Sequence, residues 1–175
     1  MLFIGGRAGV GKTSVAAEPH QQLAAGRIRH CLVEGDNLDQ AWPVPHEHGL
    51  KLAEANLKAM WAAYREAGYS RVIYVNTAAI RSDVLGDLLT ALGGQPVVHG
   101  VLLTASDATV APRLAQREIG SALRRHLAGS RRAAAELDQL APPWVRRIDT
   151  ADRPVTELAQ QIRTLLGWAP LEEDL

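Results

Sequence analysis

Residues 6 to 13 read Gly-Arg-Ala-Gly-Val-Gly-Lys-Thr, the spacing GxxxxGK[ST]. Each residue type in that pattern has a chemical task. Glycines let backbone amides turn inward on an anion, and a helix beginning near Gly11 or Lys12 would aim its positive end at the same point. An ammonium at Lys12 can reach the β and γ phosphates of a nucleoside triphosphate, and the hydroxyl of Thr13 is a ligand of the kind Mg²⁺ takes. Gly6, Arg7, Ala8, Gly9, Val10, Gly11, Lys12, Thr13 and Ser14 are therefore the candidate phosphate-binding segment. Lysine otherwise occurs only at 51 and 58 in a chain rich in arginine, so the lysine at 12 answers a local demand for a compact cation. Arg7 could touch the γ-phosphate or point to solvent.

A second group follows at Glu34-Gly35-Asp36-Asn37. A carboxylate at Asp36 could accept a proton from an attacking hydroxyl, orient it, or hold Mg²⁺ through water. The same four residues also make a good polar turn. Beyond them, Trp42 in Ala-Trp-Pro-Val-Pro could wall a small-molecule pocket. His46, Glu47 and His48 look superficially like metal ligands, but no third ligand follows at a sensible spacing, and exposed histidines capping a helix are the simpler expectation. Asn56 and Lys58 could face the pocket or solvent. Arg113 and Arg117 lie four apart, on one face of a helix.

These residues need elements to position them, and the apolar pattern supplies a set. Short apolar runs at 2–5, 30–34, 71–76, 97–103 and, weakly, 144–148 read as strands. Helical patterns occupy 13–25, 48–67, 81–92, part of 107–118, and 154–166. Continuous apolar strands, each followed by a helix, predict an α/β domain with a parallel sheet covered on both faces. Pro19 predicts a bend in the first helix, and Pro112 fits the first turn of a helix beginning near Thr109. Residues 119–139 hold no strand signal but carry Arg124, Arg125, Arg131 and Arg132, which predicts an inserted helical lid with either a solvated or a ligand-facing set of arginines. His99 and Cys31 are expected in the sheet, side by side and buried.

Composition narrows the classes. The 175 residues, 47% hydrophobic, suffice for one domain with its own core. Lys+Arg and Asp+Glu both number 19, so no net field draws the chain to nucleic acid or anionic lipid. One cysteine and no long apolar run predict a reduced, cytoplasmic protein without a membrane partner. A monomer and a homodimer are equally open.

The loop, with a strand before it and a helix after, resembles the P-loop nucleoside triphosphatases along the whole chain. The acidic motif after the second strand is similar to that of the small-molecule kinase branch: adenylylsulfate kinases, gluconate kinases, chloramphenicol phosphotransferase and the tunicamycin-resistance ATP-binding proteins. That resemblance implies a three-layer fold with strand order 2-3-1-4-5, ATP with Mg²⁺ as donor, and a small-molecule acceptor. It implies Lys12, Asp36 and Arg117 as catalytic residues, Arg113 and Arg117 as nucleotide contacts, and Thr13 with Asp36 in the metal shell. It also implies that the loop Asp149 to Asp152 packs on the adenine. The third strand departs from the pattern: Asn76 and Thr77 stand where an aspartate is usual, which shifts the charge of the metal shell to Asp36. The expected activity is transfer of the γ-phosphate to a hydroxyl of a small metabolite or antibiotic. The alternative is an ATP-binding resistance or regulatory protein with little or no transfer. Nucleotide acceptors are disfavoured, because Arg65 and Arg81 are the only candidate cations for an acceptor phosphate.

Overall fold

The computed structural model describes residues 1–116 and 120–169, together with all side chains in them except that of Ser121. The described residues form five strands and six α-helices, one helix after each strand except β4, which is followed by two: β1 (Leu2–Gly6), α1 (Lys12–Ala25), β2 (Cys31–Glu34), α2 (Leu52–Glu66), β3 (Val72–Val75), α3 (Ser82–Leu92), β4 (His99–Thr104), α4 (Asp107–Ala115), α5 (Gly120–Leu140), β5 (Arg146–Asp149) and α6 (Val155–Leu166). The strands are all parallel, in the order β2, β3, β1, β4, β5.

Period-two alternation along the strands divides the core in two. Phe3, Val72, Tyr74 and Leu102 point to one face, where they meet Leu57 and Trp61 of α2, Leu85 and Leu88 of α3, and Leu137 of α5. Leu2, Ile4, Ile73, Val75, Val101 and Leu103 point to the other, against Val15 and Leu23 of α1 and Leu158 and Ile162 of α6. β1 lies between β3 and β4, and the chain leaves it toward one face while β3 leads to the other. The carboxyl ends of β1, β2 and β3 therefore converge at a topological switch point, where α/β sheets leave a crevice.

Several expectations need correction. α2 begins at Leu52 rather than His48. Residues Pro45–His48 instead form a 3-10 turn closed by Gly49 in the left-handed region at φ 69°, so the exposed His46 and His48 do not cap α2. α4 begins at Asp107, where the hydroxyl of Ser106 accepts from the Thr109 amide; this places Pro112 in the interior of the helix, not its first turn. Pro19 does lie inside α1, a helix of 14 residues, as expected. His99 and Cys31 share the sheet but are separated by β3 and β1. Burial pushes the Cys31 thiol up to about 12, which leaves it unreactive.

Candidate active site

The turn from β1 to α1 opens on a cleft of about 560 Å³. Gly9, Val10, Gly11, Lys12, Thr13 and Ser14 line its floor, Glu34, Asp36 and Thr77 one end, and Arg113, Thr150 and Arg153 the other. Gly9 and Gly11 sit at φ 81° and 97°, conformations that glycine adopts without strain. A Cβ on Gly9 would lie 2.8 Å from Val110 Cγ1 and 2.9 Å from Leu114 Cγ, so the loop needs glycine there for space as well. Gly6 makes a different close approach, its Cβ position only 2.8 Å from the Leu103 carbonyl.

The loop's donors are prepared for an anion. Val10 N–H closes a turn on Arg7 O at 3.3 Å, whereas the amides of Gly9 and Gly11 donate to no backbone carbonyl among the described residues. Lys12 and Thr13 open α1, where the first N–H groups have no partner within the helix. The ammonium of Lys12 lies 3.4 Å from Arg7 O. Burial lowers its pKa, and the carboxylates of Asp36 and Glu34 partly offset that effect.

Glu34 is the residue that sequence reasoning missed. It ends β2, is partly buried, and lines the cleft beside Lys12 and Thr13. Burial raises its pKa, the charge on Asp36 adds to the rise, and Thr13 and Lys12 oppose it. The only sequence signal was its place at a strand end beside Gly35 and Asp36. Gly35 is itself constrained, since a Cβ there would collide with the Tyr74 hydroxyl. Asp36 is exposed, and its Oδ1 accepts from Asn76 Nδ2 at 2.6 Å. The amide oxygen of Asn76 accepts in turn from the Ala78 amide at 2.8 Å, which fixes the flip of the side chain. Thr13, Glu34 and Asp36 make a set of hard oxygen donors of the kind Mg²⁺ takes. The open amides, the ammonium and this donor set fit a magnesium-bound polyphosphate.

Arg7 neither points to solvent nor lines the cleft. Only 6% exposed, it donates from Nε to Ser130 Oγ at 2.8 Å and from Nη1 to Asp107 Oδ1 at 2.6 Å, away from the cleft. Arg131 reaches the other oxygen of Asp107 at 2.7 Å, while Arg124, Arg125 and Arg132 are exposed on α5. His126 of α5 lines the cleft. Arg113 Nη2 donates to Thr150 O at 3.2 Å, and its Nη1 lies 3.4 Å from Val10 O, joining the loop to the segment after β5. Arg117 lies outside the described residues.

Trp42, Asn56 and Lys58, the residues expected on the acceptor side, do not line this cleft. Trp42 is 89% exposed. Asn56 donates to Leu38 O at 2.6 Å and so ties α2 to the segment after Asp36, while Lys58 is exposed. Arg81 is paired with Asp83 at 2.7 Å and lies 3.4 Å from Glu136, and Arg65 stacks over Trp61. Trp144, which precedes β5, lies away from the cleft at the amino end of β4, its ring 2.8 Å from the Cβ position of Gly100.

No protein-family model and no curated protein sequence matches the chain. Its fold does match solved structures. The tunicamycin resistance protein of Deinococcus radiodurans aligns over 97% of this chain and 98% of its own, with TM-score 0.66 and 24% identity. A gluconokinase from Sinorhizobium meliloti 1021 aligns over 95% and 90%, with TM-score 0.59 and 18% identity. Shikimate kinase from Acinetobacter baumannii, in complex with shikimate, aligns over 95% and 92%, with TM-score 0.60 and 16% identity. The chain thus has the fold of the P-loop small-molecule kinases, over nearly its whole length. None of its described helices is long and apolar enough to cross a membrane.

Proposed function

We propose that the protein is an ATP- and Mg²⁺-dependent kinase that transfers the γ-phosphate to a hydroxyl of a small metabolite or antibiotic. The observation that carries this reading is the convergence of unengaged loop amides, Lys12, Thr13, Glu34 and Asp36 on one cleft. In it, the amides of Gly9 and Gly11 and the ammonium of Lys12 bind the phosphates of ATP. Thr13 and Asp36, with Glu34 beside them, hold the metal, which when bound neutralises charge on the phosphate oxygens. Asp36 accepts the proton of the acceptor hydroxyl, or orients it, and Asn76 holds that carboxylate toward the reacting side. Arg113 steadies the loop and the base-binding end, and Arg117 is proposed to close over the transferred group.

Arg81 has carboxylate partners and Arg65 lies over an indole, which supports a hydroxyl acceptor over a nucleotide. The replacement of the usual strand-end aspartate by Asn76 favours a second reading, ATP binding without transfer. One assay separates them: ADP release across a panel of sugars, hydroxy acids, nucleosides and antibiotics, with Asp36→Asn as control. The kinase reading expects at least one compound to raise the rate about tenfold or more over the basal rate, and Asp36→Asn to remove that rise. A basal rate unmoved by every compound would favour the binding reading.

A further inference from the structure

The phosphate loop is gripped from outside by two buried hydroxyls. Ser130, 3% exposed in the middle of α5, donates to Ala8 O at 2.8 Å while accepting from Arg7 Nε at 2.8 Å. Thr150, 2% exposed just after β5, donates to Val10 O at 3.0 Å. Its nearest other acceptor is Thr104 O at 3.3 Å, and it receives Nη1 of Arg113 at 3.3 Å. The two hydroxyls thus hold alternate carbonyls of the loop.

That alternation has a stereochemical result. In a trans peptide, the C=O and the N–H of one plane point in opposite directions. A hydroxyl fixed on Ala8 O turns the N–H of Gly9 away from α5. A hydroxyl fixed on Val10 O likewise turns the N–H of Gly11 away from the β5 segment. The peptide between them is different: Val10 N–H is already bonded to Arg7 O. Arg113 Nη1 also reaches Val10 O, at the longer distance of 3.4 Å, so Thr150 is the nearer anchor. Glycine planes rotate readily, so without the two hydroxyls these amides would sample other directions more freely.

We propose that Ser130 and Thr150 are positioning residues that set the peptide planes of the phosphate loop, so that the Gly9 and Gly11 amides face the polyphosphate of the bound nucleotide. The proposal rests on the reading of the cleft as a nucleoside triphosphate site. It makes α5 part of the binding loop's scaffold, joined to it through a buried hydroxyl.

The test is an amide NMR titration of ¹⁵N-labelled full-length protein with inorganic tripolyphosphate, ATP (each with Mg²⁺) and adenosine. Wild type is compared with Thr150→Val, Thr150→Ser and Ser130→Ala, and thermal melts check that each is folded. Thr150→Val keeps the shape and loses the hydroxyl. It should bind tripolyphosphate and ATP about tenfold more weakly, with adenosine unchanged and the Gly11 resonance shifted. Thr150→Ser should restore wild-type binding, and Ser130→Ala should repeat the loss with the Gly9 resonance displaced. The proposal is overturned if Thr150→Val and Ser130→Ala bind tripolyphosphate as wild type does, or if adenosine weakens in step with it. Wild type that binds neither ATP nor tripolyphosphate would remove the nucleotide reading itself; unaffected variants beside a wild type that does bind remove only this proposal.

Discussion

Asp36 and Asn76 meet at 2.6 Å, and the neutral amide at 76 makes that contact a hydrogen bond rather than a repulsion. Asn76→Asp would restore the residue expected at the end of β3 but set two carboxylates against each other, so that one retains a proton to higher pH. If Asp36 is the proton acceptor, the variant should lose activity about tenfold or more at pH 7, with the acidic limb of its rate profile moved upward. An unchanged profile would contradict that role. Glu34 allows a test of sign. Its folded pKa is raised, so the folded state binds the proton more tightly than the unfolded chain, and stability falls as pH rises from the unfolded carboxylate pKa through the folded one. Glu34→Gln should therefore raise the melting temperature at pH 7 and flatten its dependence on pH across that window, while weakening nucleotide-dependent activity. Lys12 and Thr13 were legible because their motif fixes both type and spacing. Glu34, Ser130 and Thr150 were not, because a strand-end carboxylate and two hydroxyls on later elements gain their meaning only when the chain folds back on the loop. The partners of Arg7 were hidden for the same reason: Ser130 and Asp107 lie 123 and 100 positions away.

At the scale of elements, the apolar pattern identified all five strands and the helices between them, because β1, β3 and β4 are buried on both faces and each helix on one, while β5, with only Ile148 buried, gave the weakest signal. Boundaries suffered where a local cap or turn decided them. Gly49 ends a 3-10 turn ahead of α2, and the Ser106 cap starts α4 early enough to swallow Pro112. The junction of β1 with α1 depends most on one residue. Gly9→Ala would place a methyl 2.8 Å from Val110 and force φ 81° on a residue with a Cβ. We expect a loss of about 1–3 kcal/mol in chemical denaturation, together with weakened ATP binding. A variant as stable as wild type would mean that α4 yields easily at Val110 and Leu114.

For the whole molecule, the strand order brings the ends of β1, β2 and β3 to one edge, while the two cores hold that edge from both sides. Stability and binding should then be separable. Ile162→Ala empties a fully buried position of α6 against α1 and should cost about 2–5 kcal/mol, with little change in ATP affinity below the melting transition. Lys12→Met should do the reverse. Burial depresses the lysine pKa, so the folded state carries this charge at a cost that disappears only as pH rises from the folded pKa to the unfolded value. Removing the charge should leave a protein at least as stable at pH 7 that has lost its nucleotide. The most direct measurement of the central claim is a calorimetric titration of ATP with Mg²⁺ into wild type and Lys12→Met. Saturable uptake at one site by wild type, absent from an equally folded Lys12→Met, is the predicted result; no uptake by wild type, or equal uptake by both, would contradict it.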